Sequence, residues 1–274
     1  MTAATGMDPS EALSAEYSQR AEAYRRYWAP VIHPMAYPLL SAMPLADARR
    51  ILDVGTGPGA LWPVVQSAAP RAQLWGVDRA EGMLRAGGAF LRGRVAIMDA
   101  RQLGIRPATF DAALLVFVLF HIPDPVGALR EVQATLRSGG SVGVVVWGDD
   151  PGLPGASIWA EELDQSQAAP DSRDPAVMQQ SLMDTPDKLA GLLRQAGFER
   201  IHVWNRRFVH QWTVDRLVAT QTHCGLPSRR LSSLPGAARQ ACTARVAARL
   251  AALPPKGLEY RVEIIYGIAQ RPGG

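Results

Sequence analysis

The nine residues ILDVGTGPG, Ile51 to Gly59, constrain this chain more than any other stretch. Ile51, Leu52 and Val54 form an apolar run broken by one acid, the pattern of a buried parallel strand that ends at Asp53 and Val54. Gly55, Gly57 and Gly59 follow, where the backbone can take positive φ and no Cβ blocks a ligand. Pro58 stiffens the loop, and Ala60 to Ala69 is mostly helix-compatible. Strand, glycine loop and helix N-terminus together predict a ligand cradle at the carboxyl edge of a sheet. The spacing bears on the ligand. A dinucleotide fingerprint needs G-x-G-x-x-G to seat a pyrophosphate, but here the third glycine comes one residue early. Asp53 would repel a pyrophosphate, whereas it can accept hydrogen bonds from an ammonium group, directly or through water. Both features disfavour a nicotinamide oxidoreductase.

Three successive strands each end in an acid, Asp53 being the first. Gln73 to Val77 predicts a second strand closed by Asp78, which lies 25 residues after Asp53, near the spacing at which an acid meets ribose hydroxyls in nucleotide-binding βαβ units. A helix N-cap is the plainer role for Asp78 and is compatible with that one. Val95 to Met98 predicts a third strand, followed by Asp99 and Ala100. Phe110 to Pro125, FDAALLVFVLFHIPDP, is the most hydrophobic segment and predicts a central strand covered on both faces. His121 follows its end. An imidazole there could take a proton from an attacking hydroxyl or enol, or it could only hold the loop by hydrogen bonding, and the sequence leaves both roles open.

The stretch from Ile51 to Gly59, with Asp78, Asp99 and Phe110 to Pro125, resembles class I S-adenosylmethionine-dependent methyltransferases. Within these, the likeness is to the small-molecule, ubiquinone/menaquinone-biosynthesis-like type. The resemblance implies an α/β Rossmann-like fold with a mostly parallel seven-stranded sheet and helical cap and lid inserts. It implies S-adenosyl-L-methionine as cofactor, S-adenosyl-L-homocysteine as product, and methyl transfer to an O, N or C nucleophile of a small, partly apolar acceptor. By the same resemblance Asp53, Gly55, Gly57 and Gly59 hold the amino-acid end, Asp78 the ribose and Asp99 the adenine amino group. Ala100 presents its N–H to the ring, Met83 packs near the adenine, and Val116 and Phe117 lie near the centre. Arg79 is grouped with these cofactor-binding residues. Tyr24, followed by Tyr27, Trp28, Ala29 and Pro30, matches a segment in which a tyrosine closes over the cofactor, although Arg25 stands where an acid is common. The alternative within the same fold is a cofactor-binding protein that catalyses a cyclisation or rearrangement without methylating.

Composition narrows the remainder. With 47% hydrophobic and 20% charged residues the chain is an ordinary globular one. The N-terminus lacks the basic start and apolar run of a signal peptide, and the longest apolar run, Ala112 to Phe120, is too short to span a bilayer. A cytoplasmic location is therefore expected. Cys224 and Cys242 have no metal-ligand spacing, and no acid cluster of the magnesium-dependent catechol type follows strand four, so no metal is expected. Residues 187–274 carry fourteen basic and five acidic residues. These are mainly Arg among Ala without interleaved aromatics, which argues against nucleic acid. A homodimer stays open.

Residues 1–274 are expected to form one methyltransferase domain. Its parts are an N-terminal helical cap (1–45), a cofactor-binding core (46–148), a lid insert (149–185) and a closing part (186–274) with a helical insert (213–253). Residues 1–16 read as a frayed polar leader. Thr185 to Gly197 predicts a capped helix, Phe198 to Trp204 a sixth strand, and Leu258 to Gln270 an antiparallel seventh. The 213–253 insert is expected as two helices divided around Pro227 to Pro235.

Overall fold

The structure, a computed structural model, describes residues 8–273. Seven strands form one sheet: β1 (Arg50–Val54), β2 (Gln73–Asp78), β3 (Val95–Ile97), β4 (Phe110–Val116), β5 (Leu136–Trp147), β6 (Glu199–Gln211) and β7 (Glu259–Gln270). Their spatial order is β3-β2-β1-β4-β5-β7-β6. The first five strands run parallel, and β7 inserts antiparallel between β5 and β6. The centre of the sheet is apolar because β1 and β4, buried on both faces, pair Ile51 with Ala112 and Val54 with Leu115. Strand order reverses between β1 and β4, so their carboxyl ends open a crevice at the switch point.

The N-terminal region differs from the sequence expectation. Residues 9–16 are not a frayed leader: Pro9–Gln19 is a helix whose Asp8 cap accepts the Ser10 N–H, with Pro9 opening the first turn. Residues 1–7 of the expected leader lie outside the described residues. The chain then continues through a π-helical turn, Tyr24–Trp28, and three short helices, Ala29–Ile32, His33–Ala36 and Tyr37–Ala42. Pro30, Pro34 and Pro38 each sit in the first turn of one of these, where the missing N–H is harmless, so they start turns of helix as well as ending them. The cap is held to the core by Tyr266, whose hydroxyl donates to the Met35 carbonyl at 2.7 Å inside the buried interior.

Two inserts complete the wall over the crevice. The first carries a helix, Ala156–Gln165, and a loop that reaches Pro175–Val177. The second contains three helices rather than the expected two: Val214–His223, Gly225–Leu231 and Gly236–Ala251. Pro227 falls within the first turn of the middle one, which a proline tolerates, and the break comes at Cys224 instead. β6 also runs seven residues beyond its predicted end at Trp204, because Asn205 to Gln211 keep pairing with Ile265 to Glu259 on β7. Its charged, exposed face suits an edge strand. Among the described residues no helix is long and apolar enough to cross a membrane.

Candidate active site

The glycine loop leaves β1 at the switch point with all three glycines at positive φ, +71° at Gly55, +56° at Gly57 and +68° at Gly59. At Gly55 a side chain is excluded twice, by the conformation and because a Cβ would lie 2.7 Å from the Val118 Cβ. At Gly57 the space is open, and the nearest atom to a Cβ would be Met83 Cε at 3.7 Å. This opening faces a cavity of about 410 Å³.

Two buried acids shape the loop. Asp53 accepts from the Thr56 hydroxyl at 2.7 Å and the Trp62 indole N–H at 2.9 Å, both through Oδ2. Oδ1 makes no hydrogen bond among the described residues. Burial pushes the Asp53 carboxyl up to about 6 against those two hydrogen bonds, with the Asp78 charge adding to the rise. Asp78 accepts the Gly57 N–H and the Ala80 N–H, each at 2.8 Å, which ties the end of β2 to the loop. Burial raises its pKa, and the backbone N–H groups oppose that.

These acids give a pH prediction. Folded Asp53 takes up its proton near pH 6, whereas the unfolded carboxyl does so near 3.8, so its ionised form weakens the fold above pH 6 and this penalty disappears as pH falls to 3.8. Asp53→Asn is expected to raise stability at pH 8 by at most about 3 kcal/mol, the equivalent of that shift. The gain should vanish by pH 4, as read from denaturant midpoints. An equal gain at both pH values would contradict this assignment.

Farther along the sheet, Asp99 is engaged by arginines. Its Oδ2 accepts from Arg79 Nη1 at 2.9 Å and Arg101 Nη2 at 2.7 Å, and its Oδ1 accepts the Arg101 N–H at 2.9 Å. Burial pushes this carboxyl up, but the Arg101 hydrogen bonds and both positive charges hold it below its usual range. Arg79 also reaches Asp8 at 3.1 Å and Glu11 at 3.7 Å on the cap helix. Its guanidinium thus bridges cap and core.

β4 ends in an unusual turn. Phe117 has φ +54°, a left-handed conformation rare for a bulky residue, and its N–H is held by the Val145 carbonyl at 2.9 Å. The turn sends Val118 over Gly55 and leads into Leu119–His121. His121 Nδ1 lies 3.3 Å from the Val177 carbonyl oxygen, and Nε2 lies 2.9 Å from the Tyr17 hydroxyl. A carbonyl only accepts, so the ring proton sits on Nδ1, and Nε2 accepts from Tyr17. Burial lowers the His121 pKa to about 4, with the Arg173 and Arg229 charges pressing the same way. The ring is neutral at pH 7. Burial also pushes the Tyr17 hydroxyl up to about 12.

Of the residues singled out in sequence, Asp53, Gly55, Gly57, Asp78, Arg79, Met83, Asp99, Ala100, Val116, Phe117, Tyr24 and His121 all line this one cleft. Gly59 does not; it is buried behind the loop, where a Cβ would press on Leu91. Sequence reasoning missed Tyr17 as a site residue, along with Arg20, Arg173 and Arg229, which line the other end. Tyr17 stood in an aromatic run at helical spacing, but nothing local points to a partner 104 residues away.

A glycine loop at the switch point of a mostly parallel sheet, backed by an acid at the end of β2, defines a Rossmann-like nucleotide-cofactor protein. Residues 52–144 match the family described as "Methyltransferase domain". The chain is 37% identical over 101 residues to a ubiquinone/menaquinone biosynthesis C-methyltransferase of Syntrophotalea carbinolica, covering 35% of this chain and 43% of that one. It is 30% identical over 180 residues to a demethylmenaquinone methyltransferase of Staphylococcus epidermidis, covering 60% and 74%. A crystal structure of the 4+2 cyclase SpnF superposes with TM-score 0.59 at 20% identity over 97% of both chains, a likeness of fold. The chain belongs to the S-adenosylmethionine-dependent methyltransferase family. It spans less than half the length of the first of these relatives.

Proposed function

We propose that the cleft binds S-adenosyl-L-methionine and that the protein transfers its methyl group to a small-molecule nucleophile. The observation that carries this reading is the open space over Gly57, flanked by the unengaged Asp53 Oδ1 and by the Asp78 carboxylate. These donors and acceptors fit the group: Asp53 Oδ1 for an ammonium, Asp78 for vicinal hydroxyls, and Met83 and Ala100 for a flat ring. S-adenosylmethionine, when bound, supplies an electrophilic methyl on a sulfonium. Asp99 would meet the ring through an acceptor already shared with Arg79 and Arg101.

This chain's own contribution is alignment and enclosure. Residues of the cap and of both inserts line the cleft, and Phe117, tilted 31° against Trp147 with ring centroids 4.4 Å apart, gives it an aromatic side. His121, neutral with Nε2 as acceptor, can take an acceptor hydroxyl's proton once Tyr17 gives up that position. Orientation of donor and acceptor supplies most of the rate in such a displacement. His121→Ala is therefore expected to leave S-adenosylhomocysteine affinity within about twofold and to slow formation of the methylated product and S-adenosylhomocysteine roughly 10²- to 10⁴-fold. The readout is mass spectrometry with hydroxylated naphthoates as acceptors. Wild-type protein that binds cofactor yet forms neither methylated product nor S-adenosylhomocysteine would favour a non-methylating role such as cyclisation.

A further inference from the structure

Five charged side chains from three distant parts of the chain meet beside the Tyr17–His121 pair. Glu16 and Arg20 come from the cap helix, Asp171 and Arg173 from the first insert, and Arg229 from the Gly225–Leu231 helix of the second. Arg229 Nη1 reaches Glu16 at 2.9 Å, and its Nε lies 3.4 Å from Asp171. Arg173 pairs with Asp171 at 2.8 Å, and Arg20 lies 3.6 Å from Glu16 while donating to the Ser228 hydroxyl. All five are largely withdrawn from solvent, with side chains between 18% and 23% exposed.

Fastening the cap would require only matched charges. Here three guanidinium groups face two carboxylates, Glu16 and Asp171, which leaves the cluster one positive charge in surplus. Arg20, Arg173 and Arg229 all line the cleft, as Glu16 does. The positive surplus also reaches the chemistry, since Arg173 and Arg229 both act electrostatically on His121 and on Tyr17. Beyond them the cleft is walled by Trp28, Phe117, Phe120 and Trp147.

Resting on the reading of the cleft as a methyltransferase site, we infer that the acceptor is an aromatic acid. Its carboxylate docks on Arg173 and Arg229, and its ring system lies along Phe117 and Trp147 with the nucleophile towards His121. Guanidinium forks match a carboxylate in geometry as well as charge. Arg20 holds Arg229 in place through their shared partner Glu16 and acts as a positioning residue.

The test is calorimetric titration with 3-hydroxy-2-naphthoate and with its methyl ester, on protein saturated with S-adenosylhomocysteine and again on cofactor-free protein. The acid is expected to bind at least tenfold more tightly than the ester. Arg173→Gln and Arg229→Gln should each remove that preference while leaving ester binding and S-adenosylhomocysteine affinity unchanged. Arg173→Lys, which keeps the charge and the fold contacts, should retain part of it. Equal binding of acid and ester, an acid preference that survives both Gln variants, or no binding of the acid would each overturn the inference. Failure of S-adenosylhomocysteine to bind would instead overturn the reading of the glycine loop, and the acid-to-ester ratio on cofactor-free protein would still decide the anion site.

Discussion

Replacing Asp78 with Ala is expected to weaken S-adenosylmethionine binding at least hundredfold. Its two oxygens hold the Gly57 and Ala80 N–H groups at 2.8 Å, so the loop and the end of β2 are kept in register by one carboxylate. Each oxygen has a further lone pair for a ligand hydroxyl. Hydrogen bonds to a charged group are worth about 1.5–3 kcal/mol each, and losing two ligand contacts corresponds to roughly 10²- to 10⁴-fold in affinity. Asp78→Asn keeps the shape and one acceptor and should fall between. Calorimetry on the three proteins checks the order, and an Ala variant that binds within threefold of wild type would remove Asp78 from the site.

Gly82→Ala is expected to loosen the cap without touching the cleft floor. Gly82 sits in the Glu81–Ala86 helix against the cap helix, where its N–H donates to the Ser18 hydroxyl at 3.1 Å. A Cβ there would lie 2.6 Å from the Ser18 Cα and 2.7 Å from its carbonyl carbon, and backbone cannot yield as a side chain can. Overpacking of this kind costs about 1–3 kcal/mol, enough to shift cap docking roughly ten- to hundredfold. The Asp8–Arg79 ion pair and the Tyr17–His121 hydrogen bond depend on that docking. Amide exchange across residues 9–28 should therefore accelerate by about that factor, while β1, β4 and β5 keep their protection. Unchanged exchange in 9–28 would mean that the cap is not seated through Gly82.

What was legible in the sequence was local. Ile51 to Gly59 declares strand and loop by its apolar run and its glycines, and β4 declares itself as central by having no polar face. Asp78 ends β2 as its apolar pattern predicts, whereas β3 stops at Ile97, short of the expected Met98, and Asp99 lies two residues beyond it. The cap helix was hidden because Ser10 to Glu16 has little apolar periodicity, and its stability comes from Asp8 at the N-terminus and from docking on Gly82. The charged end of the cleft was hidden for a related reason: Glu16, Tyr17, His121, Arg173 and Arg229 meet only after both inserts fold over the sheet. No spacing rule reaches across 104 residues, or across the 213 that separate Glu16 from Arg229. Arg79, grouped with the cofactor-binding residues, lines the cleft and also joins Asp99 to the cap through Asp8.

The most direct test of the account is calorimetric titration of the wild-type protein with S-adenosylmethionine and S-adenosylhomocysteine, with NAD alongside. The geometry of the Gly57 opening, Asp53 Oδ1 and Asp78 predicts binding of the first two with Kd on the order of 1–100 μM, about −8 to −5.5 kcal/mol, and none of NAD. Binding of NAD in preference to both, or of none of the three, would contradict it.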